Sequence, residues 1–432
     1  MFGLFASQEK KMRQNAVNWL ELADKVWHFR RDVLRANELQ ELDQRRAALR
    51  VLLKEKADVG KIKLGIESLE GILQKTGDSI YPKTSLTENI EFFLVAAIVI
   101  LGIRTYFVQP FKIPTNSMWP TYYGMTAENF PPGTVAPGSV ERVIRMAAFG
   151  AERCEAVAPK SGAISATFIG KGRMGYTLKS GRTWRMTSAI YREYTFYVDG
   201  DATTVRVPED FSDFDKLMIE TIFGTREAFD QYWDKMVTEQ KFIRHDIKVD
   251  ESSSSLIPAV LVPLPKEAVA GQPIVRFDLM TGDQLFVDRV SYHFFRPQVG
   301  QGFVFKTGNI AAIGQDQYYI KRLVGVPGDV LEVKSPVLYR NNKPITGARS
   351  FDLNAKRVAP YTGYTAGETL YGARYLYTGQ TLTIPEGSFF AMGDNSSNSS
   401  DGRVWGYVPA PDVVGRPLFI YYPFTRRWGP AR

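Results

Sequence analysis

Cysteine and histidine are the scarcest residues of this 432-residue chain: there is one cysteine, Cys154, and there are three histidines. A lone cysteine cannot form an intrachain disulfide or a Cys-x-x-Cys metal site. A Ser-His-Asp triad would need a histidine beside a serine nucleophile. However, His28 falls in the N-terminal helical region, His245 in a charged stretch and His293 at a predicted strand end. We therefore expect no metal, no cofactor and no such triad.

The composition allows more than one domain, since 44% of the residues are hydrophobic and 13% are aromatic. The formal net charge of +8 suits a protein that lies against anionic lipid. Nucleic acid is the competing partner, because basic and aromatic residues interleave at Lys171, Arg173, Lys179, Arg182, Trp184 and Arg185. This run alternates like a β-hairpin with one solvated face, and no nucleic-acid-binding motif accompanies it. We expect no nucleic acid.

One apolar stretch is long enough for a membrane anchor. Residues 92–103 are uncharged, and this length alone fits a buried helix equally well. Extension to 90–108 places Glu91 and Arg104 near the ends, where charges reach lipid headgroups. The stretch begins about 90 residues into the chain, which excludes a cleaved signal peptide, so we predict one uncleaved transmembrane helix at 89–108.

The charges around this stretch do not orient it. Lys75 and Lys83 precede it, while Arg104 and Lys112 lie at its end and beyond it. The positive-inside rule therefore gives a tie.

Residues 1–88 have the periodicity of helices. Apolar residues recur at helical spacing and form a stripe at Trp19, Leu22, Val26, Phe29 and Val33, continued by Leu42, Leu49 and Leu52. We predict a helical hairpin or short coiled coil, weakened at Gly60 and Gly65. The alternatives are a membrane-lying helix, and binding of a partner or a second copy through residues 1–75.

Residues 125–275 have the pattern of a separate α+β module. Two alternating strands, 195–198 and 201–207, flank the turn Asp199-Gly200, and 213–237 has the periodicity of one helix. Ser252–Ser255 has the composition of a linker.

Ser117 and Lys321 lie in segments that suit a serine nucleophile and a lysine base. The segments are Phe111-Lys112-Ile113-Pro114-Thr115-Asn116-Ser117-Met118-Trp119-Pro120-Thr121 and Tyr319-Ile320-Lys321-Arg322-Leu323-Val324-Gly325-Val326-Pro327-Gly328-Asp329. A lysine amine acts as a general base only when neutral, and burial between apolar neighbours lowers its pKa. The alternative is a strand lysine whose amine reaches water.

A third segment, 392–403, is rich in small polar residues and by itself also fits a solvated loop. Together, these segments resemble the signature boxes of bacterial type I signal peptidases, membrane-bound Ser/Lys endopeptidases that remove signal peptides. Gly282-Asp283-Gln284-Leu285-Phe286-Val287-Asp288 resembles a fourth box, and Arg104 lies where that family places an arginine before the nucleophile. The resemblance covers about residues 90–123 and 280–420.

The resemblance implies Ser117 as nucleophile and Lys321 as general base. It also implies an oxyanion hole formed by the Thr115 hydroxyl and the Ser117 amide. Supporting residues are implied at Ser399, which would hold the Lys321 amine, and at Asp394, Asp401 and Arg403, which would brace the backbone. Two positions depart from the family pattern: Asn116 replaces the usual glycine and Gly402 the usual serine. Asparagine tolerates unusual backbone angles, but the loss of a hydroxyl at Gly402 changes how its loop is held.

The resemblance further implies a mainly β catalytic domain of antiparallel sheets at 109–432, interrupted by the α+β insertion 125–275 on its rim. The insertion would supply no nucleophile, base or oxyanion donor. Residues 1–88 would be cytoplasmic and the catalytic domain would lie outside the inner membrane, where it cleaves preproteins after small residues. Phe111, Ile113 and Ile320 are our candidates for the substrate pockets. The rivals are a soluble self-cleaving repressor-type Ser/Lys protease and a catalytically inactive membrane scaffold.

Overall fold

The computed structural model describes residues 8–82, 85–131, 133–183, 187–250, 253 and 255–431, with only the backbone at 182–183 and 187–188. The chain divides into two compact units, Met1–Leu101 and Gly102–Arg432. Several residues used above lie outside the described residues, namely Lys83, Trp184, Arg185, Ser252 and Ser254.

Three helices pack around one core in the first unit: α1 Gln8–Arg30, α2 Ala36–Lys54 and α3 Val59–Thr76. The core consists of Ala16, Leu20, Ala23, Val26, Leu42, Leu49, Ile62, Ile66, Leu69, Ile72 and Leu73. The expected stripe is partly wrong, because Phe29 and Val33 are each 73% exposed. The buried face of α1 consists of Ala16, Leu20, Ala23 and the stripe residue Val26, and Trp19 and Leu22 pack against the core.

Gly65 lies inside α3 rather than ending a helix. A Cβ at this position would lie 3.0 Å or less from the Leu49 and Leu52 side chains of α2. The glycine therefore permits close contact between the two helices at the expense of helix propensity.

The next helix, α4 Ser85–Tyr106, has a mean hydropathy of 2.0 over its most apolar 18-residue window, and no part of that window is buried. It is the one helix among the described residues whose length and composition suit a membrane span. It begins four residues before the expected anchor and ends two residues earlier.

The chain runs from β1 Val108–Lys112 through the Ser117 turn into the insertion. The described residues of the insertion form eight elements before two consecutive helices. They are β2 Thr126–Asn129, α5 Ser139–Phe149, β3 Glu152–Val157, β4 Gly162–Gly170, β5 Arg173–Met174, β6 Tyr176–Thr183, β7 Thr187–Val198 and β8 Asp201–Pro208. After the pair α6 Phe214–Phe223 and α7 Arg226–Thr238 come β9 Ile243–Arg244, β10 Ile247–Lys248, β11 Leu256–Ile257, β12 Val260–Ala268 and β13 Pro273–Met280.

Two sheets organise the insertion: a seven-stranded sheet ordered β6-β7-β4-β12-β9, with β5 on β4 and β8 on β7, and a three-stranded sheet ordered β2-β13-β3. The Asp199-Gly200 hairpin forms as expected, with Val198 opposite Asp201. The single expected helix is wrong, because Gly224, at φ 79°, ends α6, and the Thr225 hydroxyl accepts from the Ala228 amide to begin α7. The expected boundary at 275 falls inside β13.

The remaining chain completes the second unit. Its elements are β14 Gln284–Asp288, α8 Ser291–Phe294, β15 Gly302–Lys306, β16 Tyr318–Gly325, β17 Val330–Lys334, β18 Val337–Arg340, β19 Lys343–Pro344, α9 Arg349–Ala355, β20 Thr381–Thr383, β21 Ser388–Met392, α10 Gly402–Trp405, β22 Val408–Pro409, β23 Val413–Tyr422 and β24 Gly429–Pro430. An eight-stranded sheet runs β1-β14-β23-β15-β16-β21-β22, with β24 on β23, and a four-stranded sheet runs β19-β18-β17-β20. The named strands pair antiparallel, which confirms the mainly β architecture.

Candidate active site

Ser117 and Lys321 meet although 204 residues separate them in the chain. Ser117 lies in a short 3₁₀ turn, Asn116–Met118, which follows β1, and Lys321 lies in the middle of β16. Met118 is fully buried and anchors the turn. The Lys321 Nζ lies 2.7 Å from the Ser117 Oγ. A proton can pass directly between two groups at this distance.

Lys321 occupies an environment that disfavours its charge. The side chain is 5% exposed, and its Nζ lies 5.3 Å from the centre of the Tyr319 ring. Burial lowers the pKa of Lys321 to about 8, although the nearby Asp401 carboxylate partly opposes this effect. A substantial fraction of the amine is therefore neutral near physiological pH, in contrast to an exposed lysine.

A cavity of about 280 Å³ opens beside these two groups. Ser117, Lys321, Thr115 and all three predicted substrate residues line it: Phe111, Ile113 and Ile320. The Thr115 backbone is extended, with φ −113° and ψ 158°, and its side chain is exposed. Asp210 and Ser212 of the insertion also line the cavity. The insertion therefore reaches the site itself, beyond the rim position expected from the sequence.

Ser399 is buried next to Gly393 and makes no hydrogen bond to the lysine amine. Its side chain is buried, and within the described part of the chain its Oγ has no hydrogen-bond partner. It packs against Gly393, where a Cβ would lie 2.2 Å from the Ser399 Oγ and 2.4 Å from the Ser117 carbonyl oxygen. Gly393 thus permits close packing of the third segment on the nucleophile turn. The role of Ser399 stays a prediction.

Asp401 and Arg403 form a fully buried ion pair of 2.7 Å. The Asp401 carboxylate also accepts from the Gly393 amide at 3.0 Å, and the Arg403 guanidinium donates to the carbonyls of Ser396 and Thr365 at 2.7 Å. These bonds tie the 392–403 loop to its surroundings.

Gly402 has no space for the serine usual in the family. A Cβ there would lie 2.8 Å from the Phe390 ring and 2.9 Å from the Ala391 carbonyl oxygen. The loop is therefore held through its ion pair rather than through a hydroxyl at residue 402.

Asp394 bonds to a partner that the sequence did not single out. Its carboxylate pairs with Arg322 at 2.5 Å and accepts from the Thr121 hydroxyl at 2.6 Å. Burial opposes the charge of Arg322, but Asp394 raises the arginine's pKa above its usual value. Arg322 follows Lys321 on a strand, so the two side chains point to opposite faces of the sheet. Lys321 points toward Ser117 and Arg322 toward Asp394.

Asp283 is a second supporting residue without a role assigned from sequence. It is fully buried, pairs with Arg427 at 2.8 Å and accepts from the Tyr123 amide at 2.8 Å. The place of Asp283 in the Gly-Asp segment 282–288 was the sequence signal for a structural role. Its pairing with Arg427 could not be predicted, because the two residues are far apart in the chain.

His245 and Lys179 of the insertion interact with other residues of the insertion. The His245 ring hydrogen-bonds to the Tyr197 hydroxyl at 3.0 Å, and the Lys179 Nζ lies 3.7 Å from the Glu193 carboxylate. Neither His245 nor Lys179 lines the cavity that contains Ser117.

Comparisons with known proteins identify relatives of this arrangement. The profile of the family described as signal peptidase, peptidase S26, matches residues 275–422. The probable signal peptidase I-1 of Synechocystis sp. is 34% identical over 154 residues, which cover 35% of this chain and 67% of the relative. Signal peptidase I of Bacillus licheniformis is 29% identical over 200 residues, covering 44% of this chain and 97% of the relative.

A solved structure, the signal peptidase I of Enterococcus faecalis V583, is 31% identical to this chain. The match covers 28% of this chain and 97% of that one, with a TM-score of 0.22.

Proposed function

Because the chain belongs to the signal peptidase I family, peptidase S26, and is thus a serine peptidase that removes signal peptides, we propose that Ser117 and Lys321 form its catalytic dyad. The observation that carries this proposal is the 2.7 Å distance between the Lys321 Nζ and the Ser117 Oγ. The lowered pKa of the buried lysine supports it, since a neutral amine accepts the hydroxyl proton.

In the proposed reaction, the neutral Lys321 amine takes the Ser117 proton while the Oγ attacks the scissile carbonyl carbon. The resulting oxyanion accepts hydrogen bonds from the Thr115 hydroxyl and the Ser117 amide. When the carbon–nitrogen bond breaks, the Lys321 ammonium protonates the departing amine, and an ester to Ser117 remains. Lys321 then takes a proton from water, whose oxygen attacks the ester carbon. The bond between this carbon and the Ser117 Oγ breaks, the signal peptide leaves with a new carboxylate, and the Lys321 ammonium returns the proton to the Oγ.

We assign preproteins cut after small residues as the substrates. This specificity is carried over from the family relationship, and Phe111, Ile113 and Ile320, which line the 280 Å³ cavity beside the dyad, are the candidate pocket residues.

The helix α4 would anchor the protein in the inner membrane by a single span. Its apolar residues are exposed in the structure, as a lipid-facing helix requires. The three-helix unit would then lie in the cytoplasm and the catalytic part outside the membrane. This orientation follows from the family relationship rather than from the flanking charges.

Cleavage of a preprotein by the purified full-length chain in detergent tests the proposal. Ser117→Ala and Lys321→Ala should each abolish cleavage. Lys334→Ala is the matched control, because that lysine is 58% exposed and pairs with Glu332 on β17. A peptide ester should acylate the wild type, with the added mass mapping to Ser117. Cleavage by Ser117→Ala, or acylation at another residue, would contradict the proposal.

A further inference from the structure

A loop of the insertion contacts the turn that carries Ser117. The loop, residues 209–213, joins β8 to α6, and its Asp210 and Ser212 line the cavity beside the dyad. The loop's last residue, Asp213, is half-buried, and its Oδ2 accepts a hydrogen bond of 2.9 Å from the Asn116 Nδ2. Asn116 immediately precedes Ser117.

Asn116 is held on several sides. Its Nδ2 also donates to the Met125 carbonyl at 3.0 Å, and its Oδ1 accepts from the Gly124 amide at 3.0 Å. Its own carbonyl oxygen accepts from the Asn395 Nδ2 at 3.0 Å. Both amide protons and one acceptor of the Asn116 side chain are therefore used, so that its orientation is specified. Met125 is the first residue of the insertion and bonds through its backbone, whereas Asp213, far inside the insertion, bonds through its side chain.

The core of the insertion fixes the position of Asp213. The flanking Phe211 and Phe214 are 1% and 0% exposed, and the Phe214 ring stacks on Tyr194 with 3.9 Å between ring centres. Burial of two aromatic side chains on either side of a short segment holds its backbone in one position. The carboxylate is therefore presented to Asn116 by a rigid support.

Asp213 does not use its side chain for its own helix. It occupies the residue before α6, but its carboxylate makes no capping hydrogen bond there. One oxygen accepts from the Ser212 hydroxyl at 3.1 Å, and the other accepts from Asn116. Removal of the carboxylate should therefore leave the helix intact while it releases the nucleophile turn.

We propose that Asp213 is a positioning residue, through which the insertion sets the orientation of the turn that carries Ser117. This inference rests on the proposed role of Ser117 as nucleophile. A displacement of about 1 Å in a reacting group can lower a rate by about 10²-fold. Loss of the Asn116–Asp213 hydrogen bond, one residue from the nucleophile, should therefore lower kcat. Substrate affinity should change little, because Asp213 does not line the cavity.

The test is steady-state cleavage of a preprotein by full-length variants. Asp213→Ala should lower kcat by about 10- to 100-fold with KM within about twofold. Asp213→Asn keeps an acceptor oxygen toward Asn116 and should recover most of kcat. The matched control is Asp215→Ala, in the first turn of α6, whose carboxylate accepts from the Met174 amide at 3.0 Å and so contacts only the insertion. It should lower the Tm and leave kcat unchanged.

A double-mutant cycle checks the route. If Asp213 acts through Asn116, Asn116→Ala combined with Asp213→Ala should be no slower than Asn116→Ala alone. Multiplied losses would overturn the proposal, as would wild-type kcat in Asp213→Ala. If Asp213→Ala fails to fold, Asp213→Asn provides the test. A kcat for Asp213→Asn as low as that of Asn116→Ala would overturn the proposal. Activity in Ser117→Ala would instead refute the dyad, so the two failures are distinguishable.

Discussion

The part of the chain that carries Ser117 and the insertion bury different kinds of side chain. Around the dyad, the buried residues include five charged groups, each at most 5% exposed: Lys321, Arg322, Asp394, Asp401 and Arg403. The insertion buries mostly aromatic and aliphatic side chains, among them Phe196, Phe214 and Phe277, although the side chains of Asp278 and its partner Arg153 are buried as well. A buried charge costs several kcal/mol unless it is paired, whereas burial of an aromatic ring is favourable.

The difference supports the proposed role of Lys321. Arg322 pairs with Asp394, and Arg403 pairs with Asp401. Lys321 alone among the five has no ion pair in the described part of the chain, and its nearest polar partner is the Ser117 hydroxyl. The burial of Lys321 is therefore unfavourable, and this supports its proposed role as the base, since buried groups with shifted pKa values are common in active sites.

The largest expected effect is the loss of the dyad. Ser117→Ala and Lys321→Met should each lower kcat by about 10⁴-fold or more, because the two residues act as a unit. Lys321→Arg should be equally inactive, since a guanidinium stays protonated. Lys321→Met should also unfold at a higher temperature, because a shift from 10.5 to about 8 corresponds to about 3 kcal/mol of burial penalty.

Activity assays and thermal unfolding at pH 7 measure both consequences. Measurable turnover by Lys321→Arg would exclude a lysine base, and a lower Tm for Lys321→Met would contradict the comparison between the two regions.

Loss of the Thr115 hydroxyl should have the next largest effect. Thr115→Val keeps the shape of the side chain but removes a donor to the oxyanion, which costs about 10²- to 10³-fold in kcat. Thr115→Ser keeps the donor and is the matched control. Nearly equal kcat values for valine and threonine would remove Thr115 from the oxyanion hole.

The pH dependence follows from the lowered pKa of Lys321. With a pKa of about 8, kcat/KM should fall about tenfold per pH unit below pH 8 and level off above it. The free energy of unfolding should also rise with pH. The cost of burying the charged amine is complete below pH 8 and is relieved between pH 8 and the usual lysine pKa. A pH series with a substrate that does not titrate measures the profile. A midpoint above about 10 would contradict a buried amine.

A smaller effect distinguishes a buried ion pair near the dyad from a solvent-exposed pair of the insertion. Asp394→Asn leaves Arg322 buried and uncompensated, so the free energy of unfolding should fall by about 3–5 kcal/mol. The control is Glu155→Gln on β3, whose pair with Arg276 is 39% and 29% exposed and should contribute about 1 kcal/mol or less. Denaturant unfolding measures both values, and equal losses would contradict the distinction.

The smallest effect concerns the exposed wall of the cavity. Asp210 lines it from the insertion and Lys112 lines it from β1, so Asp210→Asn changes the local charge without removing a described hydrogen bond. KM for preproteins with a basic residue near the cleavage site should rise about twofold to threefold, with kcat unchanged. A preprotein with a neutral residue there is the control. Equal changes in both KM values would argue against charge recognition.

Local chemistry explains what could be predicted from the sequence. The Asp199-Gly200 turn is encoded by adjacent residues, and its hairpin forms as expected. The single helix predicted over 213–237 was wrong because apolar periodicity continues across Gly224, where the backbone turns. In the first unit most of the predicted stripe lies in or against the core, but Phe29 and Val33 are exposed, while the buried Ala16 and Ala23 were not predicted from the sequence.

The sequence by itself determined the residue types of the site and their order, and so the resemblance that identifies Ser117 and Lys321. Only the tertiary structure decided their surroundings: the burial that lowers the pKa of Lys321, the pairing of Arg322 with Asp394, and the approach of Asp213 to Asn116. Asn116 and Asp213 are 97 residues apart. Contacts at such separations depend on how strands pair and cores pack throughout the fold, which no local pattern of residues encodes.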